Sequence, residues 1–154
     1  YDKVCRSPEE EENLGLEFVP NLAELLARAD FISIHTALTP ETHHLISAAE
    51  LAKMKPTAIL INASRGTIVD QKALYQALKS RQILGAGLDV TEVEPIPLDD
   101  PLLTLDNVII APHIASASVA TRTKMAVMAA ENLLAGLRSQ LPPNCVNPEV
   151  HRRQ

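Results

Sequence analysis

The chain has 154 residues, of which 46% are apolar and 21% charged, a composition that predicts a folded globular domain with a real core. A net charge of −5 with no basic stripe argues against a nucleic-acid partner, and no apolar run approaches the roughly 20 residues of a membrane span. The two cysteines lie far apart in the sequence, which predicts a reduced, cytoplasmic protein without a disulfide or a cysteine metal site.

The first third of the chain predicts alternating strands and helices. Tyr1–Cys5 is a candidate strand, and the acidic segment Ser7–Asn13 is interpreted as a solvated turn or helix end. Glu17–Val19 is predicted as a second short strand. A helix is then expected to begin after the N-cap Asn21, and the β-branched segment Phe31–His35 is predicted as a buried strand.

The middle of the chain repeats this alternation. The capping-box pattern Ser47–Glu50 predicts a helix that reaches about Lys53, and Ala58–Asn62 is predicted as the next strand. Asp70 is a candidate N-cap for a helix that ends near Ser80.

The last third contains two predicted strands, Ile83–Val90 and Val108–Ala111, followed by a long helix over Ser118–Leu137. Strands that are continuous apolar runs and alternate with helices indicate a parallel α/β sheet with helices on both faces. No internal repeat or flexible linker interrupts this order.

Arg65 is the first candidate site residue, because it follows a predicted buried strand directly and Gly66 allows a tight turn beside it. A guanidinium group presents a planar fork that suits a carboxylate or a phosphate. The alternative interpretation is an ion pair between Arg65 and Asp70 at the start of the following helix.

A carboxylate and a histidine follow the next two predicted strands. Glu92 and Glu94 lie in an acidic loop, and His113 lies at the exit of the later strand. Ligands bind at the carboxyl ends of strands in open α/β sheets, so these groups form a plausible acid–base pair. The alternatives are plain loop solvation for either glutamate and a structural role for the histidine.

Asp89 ends a buried strand and needs a partner there, which is either a ligand amide or a structural hydrogen bond. Asp2 ends the first candidate strand, where an acidic residue of a dinucleotide fold accepts from the ribose hydroxyls. His43 and His44 are interpreted as turn residues, and no metal site is predicted.

Four motifs together carry a family resemblance: ILINASRGTIVD (59–70), GAGLDVTEVEP (85–95), DNVIIAPHIASAS (106–118) and ENLLAGL (131–137). The segment HTALTPETHHLI (35–46) also matches, with Ala37 where many members have proline. On these motifs the chain resembles the D-isomer-specific 2-hydroxyacid dehydrogenases, and among them the glyoxylate/hydroxypyruvate reductases. The resemblance implies a Rossmann-like doubly wound parallel sheet.

The resemblance also implies an activity, the NAD(P)-dependent reduction of a 2-oxo acid to a D-2-hydroxy acid. In that reaction Arg65 would bind the substrate carboxylate and polarise the oxo group. His113 would donate the proton to the oxo oxygen, and Glu94 would keep His113 protonated. The residues implied to contact the cofactor are Asp2, Lys3, Thr36, Ala63, Ser64, Arg65, Asp89, His113, Ala115 and Ser116.

The family pattern implies that this chain is a C-terminal fragment. Residues 1–117 would form a partial NAD(P)-binding domain without its first strand and glycine-rich loop, because no GxGxxG occurs. Residues 118–154 would form a C-terminal helix and tail that return to a substrate domain absent from this chain. The isolated chain is therefore expected to be inactive or nearly so.

The cofactor and the partners are implied less directly. Asp2 favours NAD because its charge would repel a 2′-phosphate, whereas Lys3 and Arg6 favour NADP. The family implies a homodimer in the intact protein. Two other functions stay open, namely a non-catalytic NAD(H)-binding sensor of the corepressor kind and a dimerisation module built on the helix 118–137.

Overall fold

A computed structural model describes residues 1, 2, 4 and 7–153. Its centre is a four-stranded parallel sheet in which the strands are neighbours in sequence order. The strands are β1 (Phe31–Ile34), β2 (Ile59–Asn62), β3 (Gly85–Leu88) and β4 (Val108–Ile110). The predicted Rossmann-like α/β class is therefore confirmed.

Five α-helices lie along the described chain. They are α1 (Pro8–Leu14), α2 (Leu22–Arg28), α3 (Ala48–Leu51), α4 (Gln71–Lys79) and α5 (Val119–Leu137). Short 3-10 helices lie at Gly66–Ile68, Pro101–Thr104 and Pro148–Arg153. None of the helices in the described residues has the length and apolar content that a membrane span requires.

Side-chain caps fix where the helices begin, as the sequence predicts. Asn21 Oδ1 accepts from the backbone N–H of Ala23 at 2.8 Å, and Asp70 Oδ1 accepts from that of Ala73 at 3.0 Å. The capping box at Ser47 is also formed, with Glu50 Oε2 accepting from the Ser47 backbone N–H at 3.4 Å. The acidic segment after Ser7 forms the exposed helix α1 rather than a turn.

Three of the predicted strands differ from the structure. Glu17–Val19 forms no strand, although Val19 is buried, because the segment has no partner strand and Pro20 follows it. The predicted strand Ile83–Val90 is shorter, since β3 pairs with β2 over Gly85–Leu88 only. In Tyr1–Cys5, the described residues 1, 2 and 4 are not in a strand, and Lys3 and Cys5 lie outside the described residues.

The core holds the strand ends in place. Asn62, the last residue of β2, is 1% exposed and is one of the few buried polar side chains among the described residues. The largest fully buried apolar side chains are Leu26, Leu51, Leu60, Ile68, Leu74, Leu78, Ile83 and Leu102. The chain forms two compact units, one over Tyr1–His113 and a second that begins at Ile114. The sheet and the loops that follow β1, β2 and β3 belong to the first unit.

Candidate active site

The parallel register brings the candidate residues to one edge of the sheet. Ile34, Asn62 and Leu88 are aligned across β1, β2 and β3, and Ile110 of β4 is aligned with Leu88. The loops that follow these four residues therefore all leave from the carboxyl edge. This is the edge at which open α/β sheets bind ligands.

A short polar contact at this edge joins His113 and Glu94. His113 Nδ1 lies 2.7 Å from Glu94 Oε2, and the two side chains are 52% and 37% exposed. The backbone of His113 has a φ of +53°, a left-handed conformation that is uncommon for non-glycine residues. This contact engages Nδ1 and leaves Nε2 as the other ring nitrogen of His113.

Glu94 is itself held by the loop that carries it. Its Oε1 accepts from the backbone N–H of Thr91 at 3.2 Å, and the Thr91 hydroxyl donates to the carbonyl of Val93 at 2.7 Å. Glu92 points elsewhere, with Oε1 lying 3.1 Å from His44 Nε2. Of the two glutamates that the sequence offered, Glu94 is the one that contacts His113.

Arg65 lies on an exposed turn after β2. Its Nη1 donates to the carbonyl of Ser64 at 2.7 Å, and no ion pair to Asp70 is formed in the part of the chain that the structure describes. Asp70 caps α4 instead. The turn is fixed from below by Asn62, whose Nδ2 donates to the Arg65 carbonyl at 2.9 Å. The guanidinium fork is thus attached to a rigid turn and remains accessible.

The turn that carries Arg65 touches the loop that carries Glu94 (residues 91–100, the Glu94 loop) at Gly66. A Cβ atom at Gly66 would lie 1.9 Å from the carbonyl oxygen of Thr91, so this close backbone approach requires glycine. The contact links the turn that carries the cation to the loop that carries the carboxylate.

Replacing Gly66 by alanine is expected to destabilise the protein by about 1–3 kcal/mol, because turn and loop must move apart to accommodate the methyl group. The matched control is Gly136→Ala in α5, where an added Cβ meets no atom within 4 Å. Denaturant unfolding of the two variants checks the prediction. A Gly66→Ala variant that unfolds at the wild-type denaturant concentration contradicts it.

A cavity of about 520 Å³ opens beside the His113–Glu94 pair. Asp89 lines it at the end of β3, and the rest of its wall is largely apolar, formed by Pro95, Ile96, Leu103 and Ile110. Arg65, Thr36, Ala63 and Ser64 are not part of that wall. They form a neighbouring group after β1 and β2, in which the Ser64 hydroxyl donates to the Thr36 carbonyl.

The remaining candidate residues lie elsewhere or outside the description. Asp2 is exposed, and its Oδ1 accepts from the backbone N–H of Val4 at 3.3 Å. Lys3 lies outside the described residues. Ala115 and Ser116 lie in the turn that opens the second unit, before α5. Among the described residues, no three His, Cys, Asp or Glu side chains are grouped so that they could hold a metal ion.

Sequence reasoning missed two residues at this edge, Gln71 and His44. Gln71, the first residue of α4, exchanges hydrogen bonds with Glu92 and also donates to Asp100. His44 lies in a turn, as predicted, but its ring also contacts Glu92. No local signal marks either residue, because both contacts join segments more than 20 positions apart.

Comparison with known proteins assigns the chain to a family. Residues 1–115 match the sequence profile of the D-isomer specific 2-hydroxyacid dehydrogenase, NAD binding domain. The chain belongs to the D-isomer-specific 2-hydroxyacid dehydrogenases. The family resemblance inferred from the motifs is therefore confirmed.

Similar proteins of this dehydrogenase family are reductases of small acids. The chain is 59% identical to a glyoxylate reductase of Korarchaeum cryptofilum, over 97% of this chain and 45% of that protein. It is 51% identical to glyoxylate/hydroxypyruvate reductase B of Citrobacter koseri, over 97% of this chain and 46% of that protein. The chain thus spans less than half the length of these relatives.

Solved structures agree with this assignment. An NADPH-dependent glyoxylate/hydroxypyruvate reductase of Sinorhizobium meliloti, in complex with NADP and malonate, is 40% identical with a TM-score of 0.74. The match covers 80% of this chain and 39% of that chain. The holo form of a D-mandelate dehydrogenase of Rhodotorula graminis is 36% identical with a TM-score of 0.80, over 88% and 39% of the two chains.

The donor set at the carboxyl edge fits the cofactor of the family. Asp89 places a carboxylate at the rim of the cavity, and the largely apolar wall has the character that suits a flat heteroaromatic ring. The family description names NAD as the cofactor. One similar structure contains NADP, which is consistent with NADP as the alternative cofactor.

Proposed function

We propose that this chain is the NAD(P)-binding and proton-donating part of a reductase that converts hydroxypyruvate to its D-2-hydroxy acid or glyoxylate to glycolate. The observation that carries the proposal is the 2.7 Å contact between His113 Nδ1 and Glu94 Oε2 beside a cavity at the carboxyl edge of the sheet. A histidine oriented by a carboxylate is the arrangement that general acid catalysis uses.

The bound dihydronicotinamide supplies the hydride that the carbonyl carbon receives. Negative charge then develops on the oxo oxygen, and His113 neutralises it by donating the Nε2 proton. Arg65 holds the substrate carboxylate and stabilises the same developing charge. Glu94 fixes the imidazole through Nδ1, so that Nε2 points at the oxygen.

Several further residues are proposed to contact the cofactor. Asp89 would accept from the carboxamide, and the backbone around Thr36, Ala63 and Ser64 would line the same edge. Ala115 and Ser116 are proposed as further contacts of the cofactor. Asp2 would accept from the adenosine ribose, which favours NAD over NADP.

The test uses the full-length protein, because the chain spans less than half of its relatives. Oxidation of NADH and of NADPH is followed with glyoxylate and with hydroxypyruvate. Turnover with either acid supports the proposal, and the ratio of the two cofactors decides the preference. Binding of NADH without turnover of any 2-oxo acid would instead favour the sensor.

Replacing Glu94 by glutamine is expected to lower kcat by about 10- to 100-fold. The amide keeps the shape of the side chain but removes the charge from a hydrogen bond to an ionised group, which is worth about 1.5–3 kcal/mol. The control is Glu24→Gln on α2, whose carboxylate contacts the exposed Arg28. Steady-state kinetics with glyoxylate measure both variants. Equal kcat values for Glu94→Gln and the wild type contradict the prediction.

Dimerisation and a cytoplasmic location stay predictions. The helix α5 offers an apolar surface for subunit contact, with Val119, Leu133 and Leu137 between 64% and 84% exposed. Sedimentation of the full-length protein measures the oligomeric state.

A further inference from the structure

A second histidine–carboxylate contact lies at the same edge of the sheet and involves Glu92 of the Glu94 loop (residues 91–100). Glu92 Oε1 is 3.1 Å from His44 Nε2 and accepts from the backbone N–H of Gln71 at 3.0 Å. The Glu92 side chain is 28% exposed, and the ring of His44 stacks on that of His43 at 4.0 Å. The reaction proposed above uses none of these groups.

Gln71 is the centre of this cluster. Its Oε1 accepts from the backbone N–H of Glu92 at 2.9 Å, and its Nε2 donates to Asp100 Oδ2 at 2.7 Å. One side chain therefore binds the Glu94 loop near both of its ends. The Asp100 carboxylate is fixed in turn, since its Oδ1 accepts from the backbone N–H of Leu102 at 2.9 Å.

The backbone of Gln71 is connected to the turn that carries Arg65. Gln71 is the first residue of α4, which begins at the cap Asp70 and follows the turn that carries Arg65. The carboxylate of Glu92 lies at the positive end of this helix, where negative charge is favoured. His44 joins the same turn, because its backbone N–H donates to the Thr67 carbonyl at 2.8 Å.

We propose that Gln71 is a positioning residue of the reductase, which locks the Glu94 loop to the Arg65 turn and so sets Glu94 against His113. The inference rests on the proposed function. Its physical basis is that Glu94 lies between the two attachment points of one side chain. Without those two hydrogen bonds the loop is held only near residues 91 and 92, by the Gly66–Thr91 contact and by the Glu92 carboxylate, and its attachment at Asp100 is lost. The distance between Glu94 and His113 is then less firmly fixed.

The test is the variant Gln71→Met in the full-length protein, which preserves the length of the side chain and removes its hydrogen bonds to the Glu94 loop. The expected result is a kcat for glyoxylate about tenfold below the wild type, with the KM for NADH unchanged. The matched control is Gln76→Met, a position on the same helix outside this cluster, which is expected to keep the wild-type kcat.

A double-mutant cycle with Glu94→Gln separates positioning from stability alone. If Gln71 acts through Glu94, the Gln71→Met effect on kcat shrinks to about twofold or less once Glu94 is already replaced. A merely structural role would lower kcat by the same factor in both backgrounds, and that result overturns the inference. So does a Gln71→Met variant with the wild-type kcat.

A second variant tests the attachment at Asp100 with the Gln71 side chain left in place. Asp100→Asn keeps an oxygen acceptor for the Leu102 backbone N–H and turns the acceptor of Gln71 Nε2 into an amide donor, so a kcat between those of the wild type and Gln71→Met is expected. An Asp100→Asn kcat equal to the wild-type value overturns the inference that both attachments position Glu94. Wild-type turnover is measured beside every variant, and its absence refutes the proposed function rather than the role of Gln71.

Discussion

Replacing His113 by alanine in the full-length protein is expected to lower kcat for glyoxylate reduction by about 10²–10⁴-fold, the usual contribution of a positioned general acid. The oxo oxygen gains negative charge as the hydride arrives, and His113 is the proton donor that the site offers to it. Its ring is oriented by the 2.7 Å contact with Glu94. Steady-state kinetics at saturating NADH measure the loss.

Two observations keep the His113→Ala result interpretable. NADH binding, followed by the fluorescence of the reduced nicotinamide, is expected to stay close to the wild-type value, because only the backbone of His113 is expected to line the cofactor and alanine keeps that backbone. The variant His113→Gln places an amide in the same space but has no acidic proton of comparable strength, so it is expected to be as slow. A kcat within about threefold of the wild type in either variant contradicts the assignment of His113 as general acid, since a positioned acid contributes far more.

Replacing Arg65 by alanine is expected to lower kcat/KM for glyoxylate by about 10²–10³-fold, the usual cost of removing one group that stabilises developing charge. The guanidinium is exposed on a turn fixed by Asn62 and makes no ion pair within the described residues, so its fork is available to a carboxylate. The loss should appear in KM as well as in kcat, because the same group binds the ground-state carboxylate.

The control for Arg65 is Arg28→Ala at the end of α2. Arg28 pairs with Glu17 at 2.6 Å and with Glu24 at 3.1 Å. The hydrogen bond and the positive charge of Arg28 lower the pKa of Glu17 below its ordinary value. The Arg28→Ala substitution is expected to leave kcat/KM unchanged. Arg65→Lys should recover only part of the activity, because an ammonium group keeps the charge without the fork. Full activity in Arg65→Ala contradicts the proposed role.

The strands β1, β2 and β4 could be predicted to within one residue at each end, because each is a short β-branched or aliphatic run between turn residues. The same reasoning failed at Glu17–Val19, where a locally suitable segment has no neighbouring strand to pair with. The same reasoning predicted β3 over Ile83–Val90, longer than the observed Gly85–Leu88. The hydrogen-bonded pairing with β2, and not local hydrophobicity, sets the ends of this strand.

The candidate site was predictable where position alone implies proximity. Residues that follow parallel strands share one edge, so the sequence alone could place Arg65, Glu94 and His113 at that edge, where the structure brings Glu94 and His113 into contact. Gln71 could not be predicted, because its two hydrogen bonds to the Glu94 loop depend on how that loop folds back over α4. Gly66 was expected to allow a turn, whereas the structure shows that its missing side chain also admits the Thr91 carbonyl.

The most direct test of the account is the conversion of glyoxylate by the full-length protein, with NADH consumption and product formation measured in the same sample. The account predicts one glycolate formed for each NADH oxidised, with turnover that saturates in both substrates. Tight NADH binding with no oxidation by glyoxylate or hydroxypyruvate would contradict it, and would leave the His113–Glu94 pair as part of a ligand-binding site without chemistry.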